Sequence, residues 1–237
     1  GKQLLGSDFT PFIKWWLTLL VITITFYPVI GIIFKRFHDG GWIFCKTIGL
    51  ALAGYAMWLL SSVRILKFRQ DNAILTLGLC FLINLAIVAT LCFFNNKKLE
   101  KKITLREIYQ FDIDKLKSMI TVEVMFFVLF LFWTYVRGFK PEVSNTESPM
   151  DYGFMAAMMR ADYLPAQDIW MSGKAINYYY VGQYFATYLT KLSGVTVNVG
   201  YNLALMTISG SAFTLAYSLV YNITKTFTYD CRLRKRN

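Results

Sequence analysis

Acidic, amide and aromatic side chains are concentrated in one polar segment, residues 137–200, which lies between two long apolar runs. Carboxylates and amides hydrogen-bond to hydroxyl groups, and aromatic rings stack against other rings, so such a cluster suits recognition of hydroxyl-rich ligands. The candidate binding residues are Glu147, Asp151, Arg160, Asp168, Trp170, Asn177, Tyr178, Tyr179, Tyr180 and Gln183. The segment is therefore the expected working surface of the protein.

Several of these residues also have a purely structural interpretation. The stretch from Ser148 to Asp151 has the spacing of a capping box with Pro in the first turn, which by itself explains the acidic residue. Asp168 fits a turn, and Arg160 with Asp162 fits an exposed ion pair that contributes little to stability. The residue types alone leave the structural and functional interpretations open.

Composition limits the chemistry that this chain supports. His38 is the only histidine, which excludes most metal triads within the chain. Cys45, Cys80, Cys92 and Cys231 form no C-x-x-C pair, which argues against disulfides and zinc. The net charge is +11, but the basic residues lie beside apolar runs, as in membrane proteins, so we expect no nucleic-acid partner.

The elements that must position the polar segment are membrane-spanning helices. Of 237 residues, 56% are hydrophobic and the mean hydropathy is +0.42. Runs of about 20 apolar residues are long enough to cross a ~30 Å hydrocarbon layer, in which a helix satisfies its own backbone. The predicted spans are Phe12–Phe34, Trp42–Val63, Ala73–Phe94, Met119–Val136 and Tyr201–Tyr221. The expected fold is all-α: a polytopic transmembrane helix bundle of about five spans in the lipid bilayer, with short interfacial helices in a large external loop.

Two short helices are predicted inside the polar segment. The first covers Pro149–Asp162, and the second covers Asn177–Leu192 and ends at Gly194. Neither is apolar enough to span, so both are expected to lie flat on the outer leaflet. A stripe of tyrosines follows the second helix at Tyr180, Tyr184 and Tyr188. Such a stripe is more typical of an interfacial aromatic belt than of a ligand cradle.

Charge predicts the orientation of a multi-pass protein of the cell membrane. The strongest basic cluster follows the third span and includes Lys97, Lys98, Lys101, Lys102, Arg106, Lys115 and Lys117. The positive-inside rule places this cluster in the cytoplasm. Alternation of the spans then places residues 137–200 outside and the basic C-terminal tail in the cytoplasm.

The basic stretch also marks a predicted division of the chain. Residues 1–96 are expected to form a three-span bundle, 97–118 a basic cytoplasmic linker, and 119–237 a second domain with two spans and the external loop. Within Leu99–Lys117, an amphipathic helix on anionic lipid and a solvated linker are equally compatible with the sequence. Three charged residues near span ends, Lys14, Lys46 and Glu123, are expected to extend toward water.

A string of motifs connects the polar segment to a known family. It consists of Glu147, Pro149, Met150 and Asp151; Pro165, Asp168, Trp170 and Gly173; Ile176 to Tyr180 and Gly182; and Tyr201-Asn202-Leu203-Ala204. With a similar second span, this string resembles the YYY-domain family, uncharacterised membrane proteins of archaea and some bacteria, over about residues 40–221. The sequence departs from the family pattern at Ser148 for Lys, Ile169 for Pro and Gln183 for His. Glutamine at 183 lacks the acid–base or metal role that histidine could have there.

That family is similar in plan to the GT-C membrane glycosyltransferases, and the resemblance implies specific roles. In GT-C enzymes an acidic residue early in the first external loop acts as catalytic base or metal ligand, and the donor is a sugar on a polyprenyl phosphate. Asp151 corresponds to that residue, and the implied cofactor is a divalent metal, Mg²⁺ or Mn²⁺, bound there. Glu147 and Asp168 would support the metal or the acceptor, and Arg160 or Lys174 would help bind the phosphate. The sugar site would be shaped by Trp170, Asn177 and Tyr178 to Tyr180.

The function expected from this resemblance is transfer of a sugar from a polyprenyl-phosphate donor. GT-C enzymes have many more spans, so the chain is expected to be an N-terminal fragment or truncated member that needs a partner subunit or the remainder of a longer chain. The alternative is a non-catalytic multi-pass membrane protein whose external loop binds a glycolipid, a cell-wall polymer or a partner subunit. Transport is a weaker interpretation, because the only charged residue well inside a span is Glu123, and it sits near an end of that span.

Overall fold

The computed structural model describes residues 6–99 and 104–234, and this part of the chain is mainly helical. After a 3-10 turn at Gly6–Asp8, the helices are α1 (Phe9–Ile33), α2 (Trp42–Ser62), α3 (Gln70–Leu99), α4 (Leu105–Tyr109), α5 (Ile113–Gly138), α6 (Ser148–Arg160), α7 (Val181–Ser193) and α8 (Val197–Arg234). Within these ranges no β-strand is formed, and an isolated β-bridge joins Gln167 and Ala175. The predicted all-α class is confirmed.

Five of the described helices are long and apolar enough to cross a membrane. They are α1 with its preceding turn, α2, residues 70–94 of α3, α5, and residues 197–225 of α8. Each corresponds to one predicted span. The largest difference is in α8, which continues to Arg234 instead of ending at Tyr221. The apolar run ends near Tyr221, but no Gly or Pro follows to stop the helix.

The outward faces of the spans carry apolar side chains, as expected for helices in lipid. Leu82 in α3 is 61% exposed and Ile208 in α8 is 68% exposed. Exposed apolar faces of this extent would be unusual on a soluble protein and are satisfied by hydrocarbon chains. The bundle is therefore an integral membrane protein.

The interior joins the first helices to the last ones through aromatic packing. Phe12 in α1 stacks on Phe130 in α5 with ring centroids 4.8 Å apart. Trp15 Nε1 donates a hydrogen bond to Thr207 Oγ1 in α8 at 2.8 Å. Residues on both sides of the basic linker thus contribute to one core. The division into domains at 97–118 stays a prediction.

Two of the three charged residues expected to reach water instead pair with each other between helices. The ammonium of Lys46 lies 2.5 Å from Glu123 Oε2, and the side chains are 3% and 13% exposed. Lys14 is exposed on α1, in agreement with the expectation. The prediction failed for the pair because residue position along a span does not show which side of the helix faces a partner.

The described part of the linker between the third and fourth spans, from residue 104 onward, is neither one continuous helix nor free in solvent. It contains the five-residue helix α4, and α5 already begins at Ile113. Tyr109 at the end of α4 donates from its hydroxyl to the Pro28 carbonyl of α1 at 2.8 Å. Lys101 and Lys102 of the predicted basic cluster lie outside the described residues, as do Lys235 and Arg236 of the basic tail.

Two loops meet on one face of the bundle, here called the loop face, which carries α6, α7 and residues 63–69. Lys67 Nζ and Arg69 Nη2 contact the carboxylate of Asp162 at 3.0 and 3.1 Å. These two hydrogen bonds lower the pKa of Asp162, with the Lys67 bond contributing most. The short loop after α2 and the polar segment therefore lie on the same side, as the alternation of spans requires. Which side of the membrane this is stays a prediction.

Cysteine labelling tests the predicted orientation. Ser172 on the loop face and Arg36 on the opposite face are both exposed. In a Cys231→Ser background, we expect Ser172→Cys to react with a membrane-impermeant maleimide in intact cells. Arg36→Cys should react only after permeabilisation. The reverse pattern would place the polar segment in the cytoplasm and contradict the predicted topology.

Candidate functional site

The segment that carries Asp151 becomes helical at Ser148, and its first turn is capped by a residue outside the predicted motif. The side-chain oxygen of Asn145 accepts a hydrogen bond from the Ser148 backbone N–H at 2.7 Å. Ser148 is the first helical residue, and Glu147 at the cap position makes no capping bond. The capping-box interpretation is therefore wrong, although Pro149 does lie in the first turn of α6. The capping box does not explain Asp151.

The carboxylate of Asp151 is oriented by a residue 32 positions later in the chain. Gln183 Nε2 donates to Asp151 Oδ1 at 2.6 Å, and both side chains are half-buried. The contact forms because α6 and α7 pack against each other. Gln183 lies in the first turn of α7, which begins at Val181 and not at Asn177 as predicted. The sequence identified both residues as candidates but could not show that they are bonded.

Three exposed aromatic rings, Trp170, Tyr178 and Tyr179, lie on the same face as this carboxylate, and together with the buried ring of Phe154 they form what we call the aromatic shelf. The rings of Tyr178 and Tyr179 are 3.9 Å apart, and their hydroxyl oxygens are 2.6 Å apart. Both Trp170 and Tyr178 lie against Phe154, with ring centroids 5.9 and 6.1 Å from it. Trp170 and Tyr179 are each 69% exposed. The shelf therefore offers ring faces to a ligand arriving from water.

The negative charges of Glu147 and Asp151, at the start of α6, act on Tyr178 of the shelf. The pKa of the Tyr178 phenol is raised, first by its hydrogen bond with Tyr179 and also by the nearby charges of Glu147 and Asp151. The two carboxylates are thus electrostatic neighbours of Tyr178. The structure brings together Glu147, Asp151, Tyr178, Tyr179 and Gln183, with Trp170 joined through Phe154. Asn177 is exposed in the loop that precedes α7.

The predicted tyrosine stripe is a packing surface and not an interfacial belt. Tyr184 is 1% exposed and donates to the Gly54 carbonyl at 2.6 Å, and Tyr188 is fully buried. Tyr180 precedes α7, and its hydroxyl accepts from Trp58 Nε1 at 3.1 Å. Helix α7 therefore packs onto the ends of α1, α2 and α3 and does not lie flat on lipid. Gly54 permits this approach, because a Cβ there would lie 2.6 Å from the Phe185 ring.

Two candidate residues line a cavity that Asp151 does not line, here called the second cavity. Arg160 is nine residues further along α6, which corresponds to about 14 Å of helix rise. This cavity has a volume of about 580 Å³, and Arg64 lines it together with Arg160 and Asp168. Asp168 Oδ1 accepts from the backbone N–H groups of Trp170 and Met171 at 2.8 and 2.9 Å. The turn interpretation of Asp168 is therefore confirmed.

The described residues do not provide a metal site around Asp151. Within 6–99 and 104–234, no three histidine, cysteine, aspartate or glutamate side chains come close enough to hold a metal ion. Asp168 orders its own turn, and Asp151 already accepts from Gln183. The residues present do not fit a protein-bound Mg²⁺ or Mn²⁺, so no catalytic step is derived through one.

Sequence reasoning missed Lys191, which fastens the loop face. This lysine is 8% exposed and donates to the Phe68 carbonyl at 2.5 Å and to the Met159 carbonyl at 3.1 Å. It thus ties residues 63–69 and α6 to α7. Burial lowers the pKa of Lys191 from 10.5 to about 8. Its position on the inner face of α7 is a signal that becomes useful only once that helix is known to be buried.

The stability of the loop face should depend on pH through Lys191. Below pH 8 this lysine is charged in both folded and unfolded states, so the full penalty for burying the charge is present. As pH rises from about 8 toward 10.5, the folded state releases its proton first, and the free energy of unfolding should increase. Lys191→Met should lack that increase when melting is followed in detergent. Lys174→Met, at an exposed lysine, should keep it; equal pH slopes for Lys191→Met and the parent would contradict the assignment.

The apolar helices with a polar segment on one face define a multi-pass helical membrane protein. A family model described as uncharacterized membrane protein, DUF2298, matches residues 52–235, and the chain belongs to this family. The matched region contains the whole loop face, including Asp151, Gln183 and the aromatic shelf. No curated protein and no solved structure matches the chain. Membership of an uncharacterised membrane protein family is confirmed.

Proposed function

We propose that the protein is, or is part of, a membrane glycosyltransferase of the GT-C kind that takes its sugar from a polyprenyl-phosphate donor. The observation that carries the proposal is the carboxylate of Asp151, held by Gln183 at 2.6 Å beside exposed aromatic rings on one face of the bundle. A positioned carboxylate can take the proton of a hydroxyl, and a neighbouring aromatic surface can hold the apolar side of a sugar ring.

In this proposal Asp151 is the catalytic base. The acceptor hydroxyl gives its proton to Asp151 Oδ2 while its oxygen forms a bond to the anomeric carbon of the donor sugar. The bond between that carbon and the phosphate oxygen breaks, and the electron pair leaves with the polyprenyl phosphate. Gln183 leaves one carboxylate oxygen for the proton and fixes the direction from which the hydroxyl approaches.

The neighbouring residues would bind the sugar. Trp170 and Tyr179 present ring faces that stack on its apolar side, and Glu147 accepts hydrogen bonds from its hydroxyl groups. Arg160 is too far along α6 to stabilise a phosphate that leaves next to Asp151. That charge would be neutralised by a partner subunit or by the remainder of a longer chain.

A non-catalytic binding role is the second candidate, and the exposure of the shelf favours it. Trp170 and Tyr179 are each 69% exposed, so the rings meet a ligand from solvent and not inside a closed cleft. Catalytic sites gain from exclusion of water, whereas a recognition surface for a glycolipid or cell-wall polymer does not need it.

A transfer assay separates the two candidates. The longest available form of the protein is reconstituted with polyprenyl-phosphate sugars and an acceptor mixture, and transfer by the parent is compared with that by Asp151→Asn. Transfer that depends on Asp151 supports the enzyme. Sugar retention on the shelf without transfer, reduced by Trp170→Ala, supports the binding role.

A further inference from the structure

A cavity of about 500 Å³ opens on the loop face between the end of α5 and the start of α8. Tyr152, the neighbour of Asp151 in α6, lines this cavity, whereas Asp151 itself does not. Its size lies within the range of small-molecule sites. None of the residues singled out for sugar transfer lines this cavity, so it is a site distinct from the aromatic shelf.

The polar side of the cavity is fixed by hydrogen bonds before any ligand arrives. Arg137 Nε donates to Asn202 Oδ1 at 2.7 Å, and Arg137 Nη2 donates to the Glu142 carbonyl at 3.2 Å. The Tyr152 hydroxyl lies 3.4 Å from Asn198 Oδ1. Guanidinium, amide and phenol groups held in this way form a preorganised set of donors and acceptors.

Thr134 lines the cavity, and its buried hydroxyl lacks a partner among the described residues. Thr134 Oγ1 is buried and makes no hydrogen bond within the part of the chain that the structure describes. Most threonines in these helices bond to the carbonyl four residues earlier, as Thr207 does to Leu203 at 2.8 Å. A buried hydroxyl without a partner is costly, and after rotation of the Thr134 side chain toward the cavity a hydroxyl-bearing ligand would satisfy it.

The charges around the cavity favour a neutral ligand over a free anion. The charged residues that line the cavity are two carboxylates, Asp8 and Glu142, and one guanidinium, Arg137. A doubly charged phosphate would be repelled by the two acids and attracted by only one cation. A sugar has hydroxyl groups that donate to carboxylates and accept from the guanidinium and amides, so both kinds of group are used.

The other wall is apolar and belongs to a membrane span. Val199, Leu203 and Met206 line it and continue down α8. Asp8, Arg137 and Asn198 lie at the ends of three spans, where the headgroups of a leaflet would be. We propose that this cavity binds a lipid with a neutral sugar head group, with the sugar on the Arg137 side and the chain along α8. The inference rests on the proposed function only for the use of that lipid as acceptor, since binding needs no transfer.

Lipid retention in nanodiscs tests the proposal. The protein is placed in phosphatidylcholine nanodiscs that contain a few mol % of glucosyl diacylglycerol, phosphatidylglycerol or diacylglycerol. Native mass spectrometry then counts the lipid molecules that stay bound to the protein after it is released from the nanodisc. We expect selective retention of the glucosyl lipid. Equal retention of phosphatidylglycerol would indicate an anion site, equal retention of diacylglycerol a chain groove, and either result would overturn the proposal.

Variants locate the binding and separate it from transfer. Asn198→Leu, at the exposed rim, should reduce retention about tenfold, or ~1.4 kcal/mol. Arg137→Met should do the same where its melting temperature matches the parent. Arg160→Met, which changes the second cavity, should retain the glucosyl lipid as the parent does. Loss of retention in Arg160→Met but not in Asn198→Leu would overturn the proposal. Asp151→Asn should keep the lipid even when transfer is lost, so failure of catalysis and failure of binding give different results.

Discussion

Asp151→Asn is expected to lower sugar transfer at least about a hundredfold, with little effect on folding. A positioned general base typically contributes 10²–10⁴-fold, and an amide cannot take the acceptor proton. Asparagine is close in shape to aspartate, and its side-chain oxygen still accepts from Gln183, so α6 and α7 should keep their packing. The loss should therefore appear in kcat, with melting in detergent close to that of the parent.

Asp162→Asn is the matched control. Asp162 is an exposed carboxylate on the same segment, bonded to Lys67 and Arg69 and not to the shelf. Its replacement should leave transfer within a few-fold of the parent. Equal transfer by Asp151→Asn and the parent would remove Asp151 from the mechanism. Gln183→Leu provides an intermediate case, because the carboxylate remains but loses the donor that orients it.

The spans were predictable because their signal is local. A run of about 20 apolar residues identifies a membrane helix without knowledge of its neighbours. Helix ends were less accurate, since α5 begins at Ile113, inside a charged stretch where Asp112 caps the helix by accepting from the Lys115 backbone N–H. The buried position of α7 was not predictable, because its tyrosines fit a membrane interface and a protein core equally well.

The site was predictable in its residues but not in its grouping. Asp151, Gln183 and Tyr178 were identified by type, yet their association depends on the packing of α6 on α7. The separation of Arg160 from Asp151 follows from helix rise alone and was available from the sequence. The cavity around Arg137 depends on a contact 65 residues apart, with Asn202, which no local pattern indicates.

Glu123→Gln is expected to destabilise the bundle by about 3–5 kcal/mol, the range for breaking a buried ion pair. The carboxylate accepts from Trp16 Nε1 at 3.0 Å, from Trp42 Nε1 at 2.8 Å and from the Lys46 ammonium at 2.5 Å. It thereby joins α1, α2 and α5. A glutamine keeps the shape but leaves the Lys46 charge, 2% exposed, without a counter-charge in a region that excludes water.

The double variant Lys46→Met/Glu123→Gln should recover part of that loss, because it removes both charges, although the single amide oxygen accepts from only one of the two indoles. The free energy of unfolding from titration with a denaturing detergent gives the coupling between the two residues. Lys14→Met is the control, since Lys14 lies on α1 but is exposed. If Glu123→Gln matched Lys14→Met, the pair would not hold the three helices together. A third result is that each single variant is unstable while the double variant is as stable as the parent. Each charge would then be needed only to balance the other, and the pair would serve the specificity of helix pairing more than net stability.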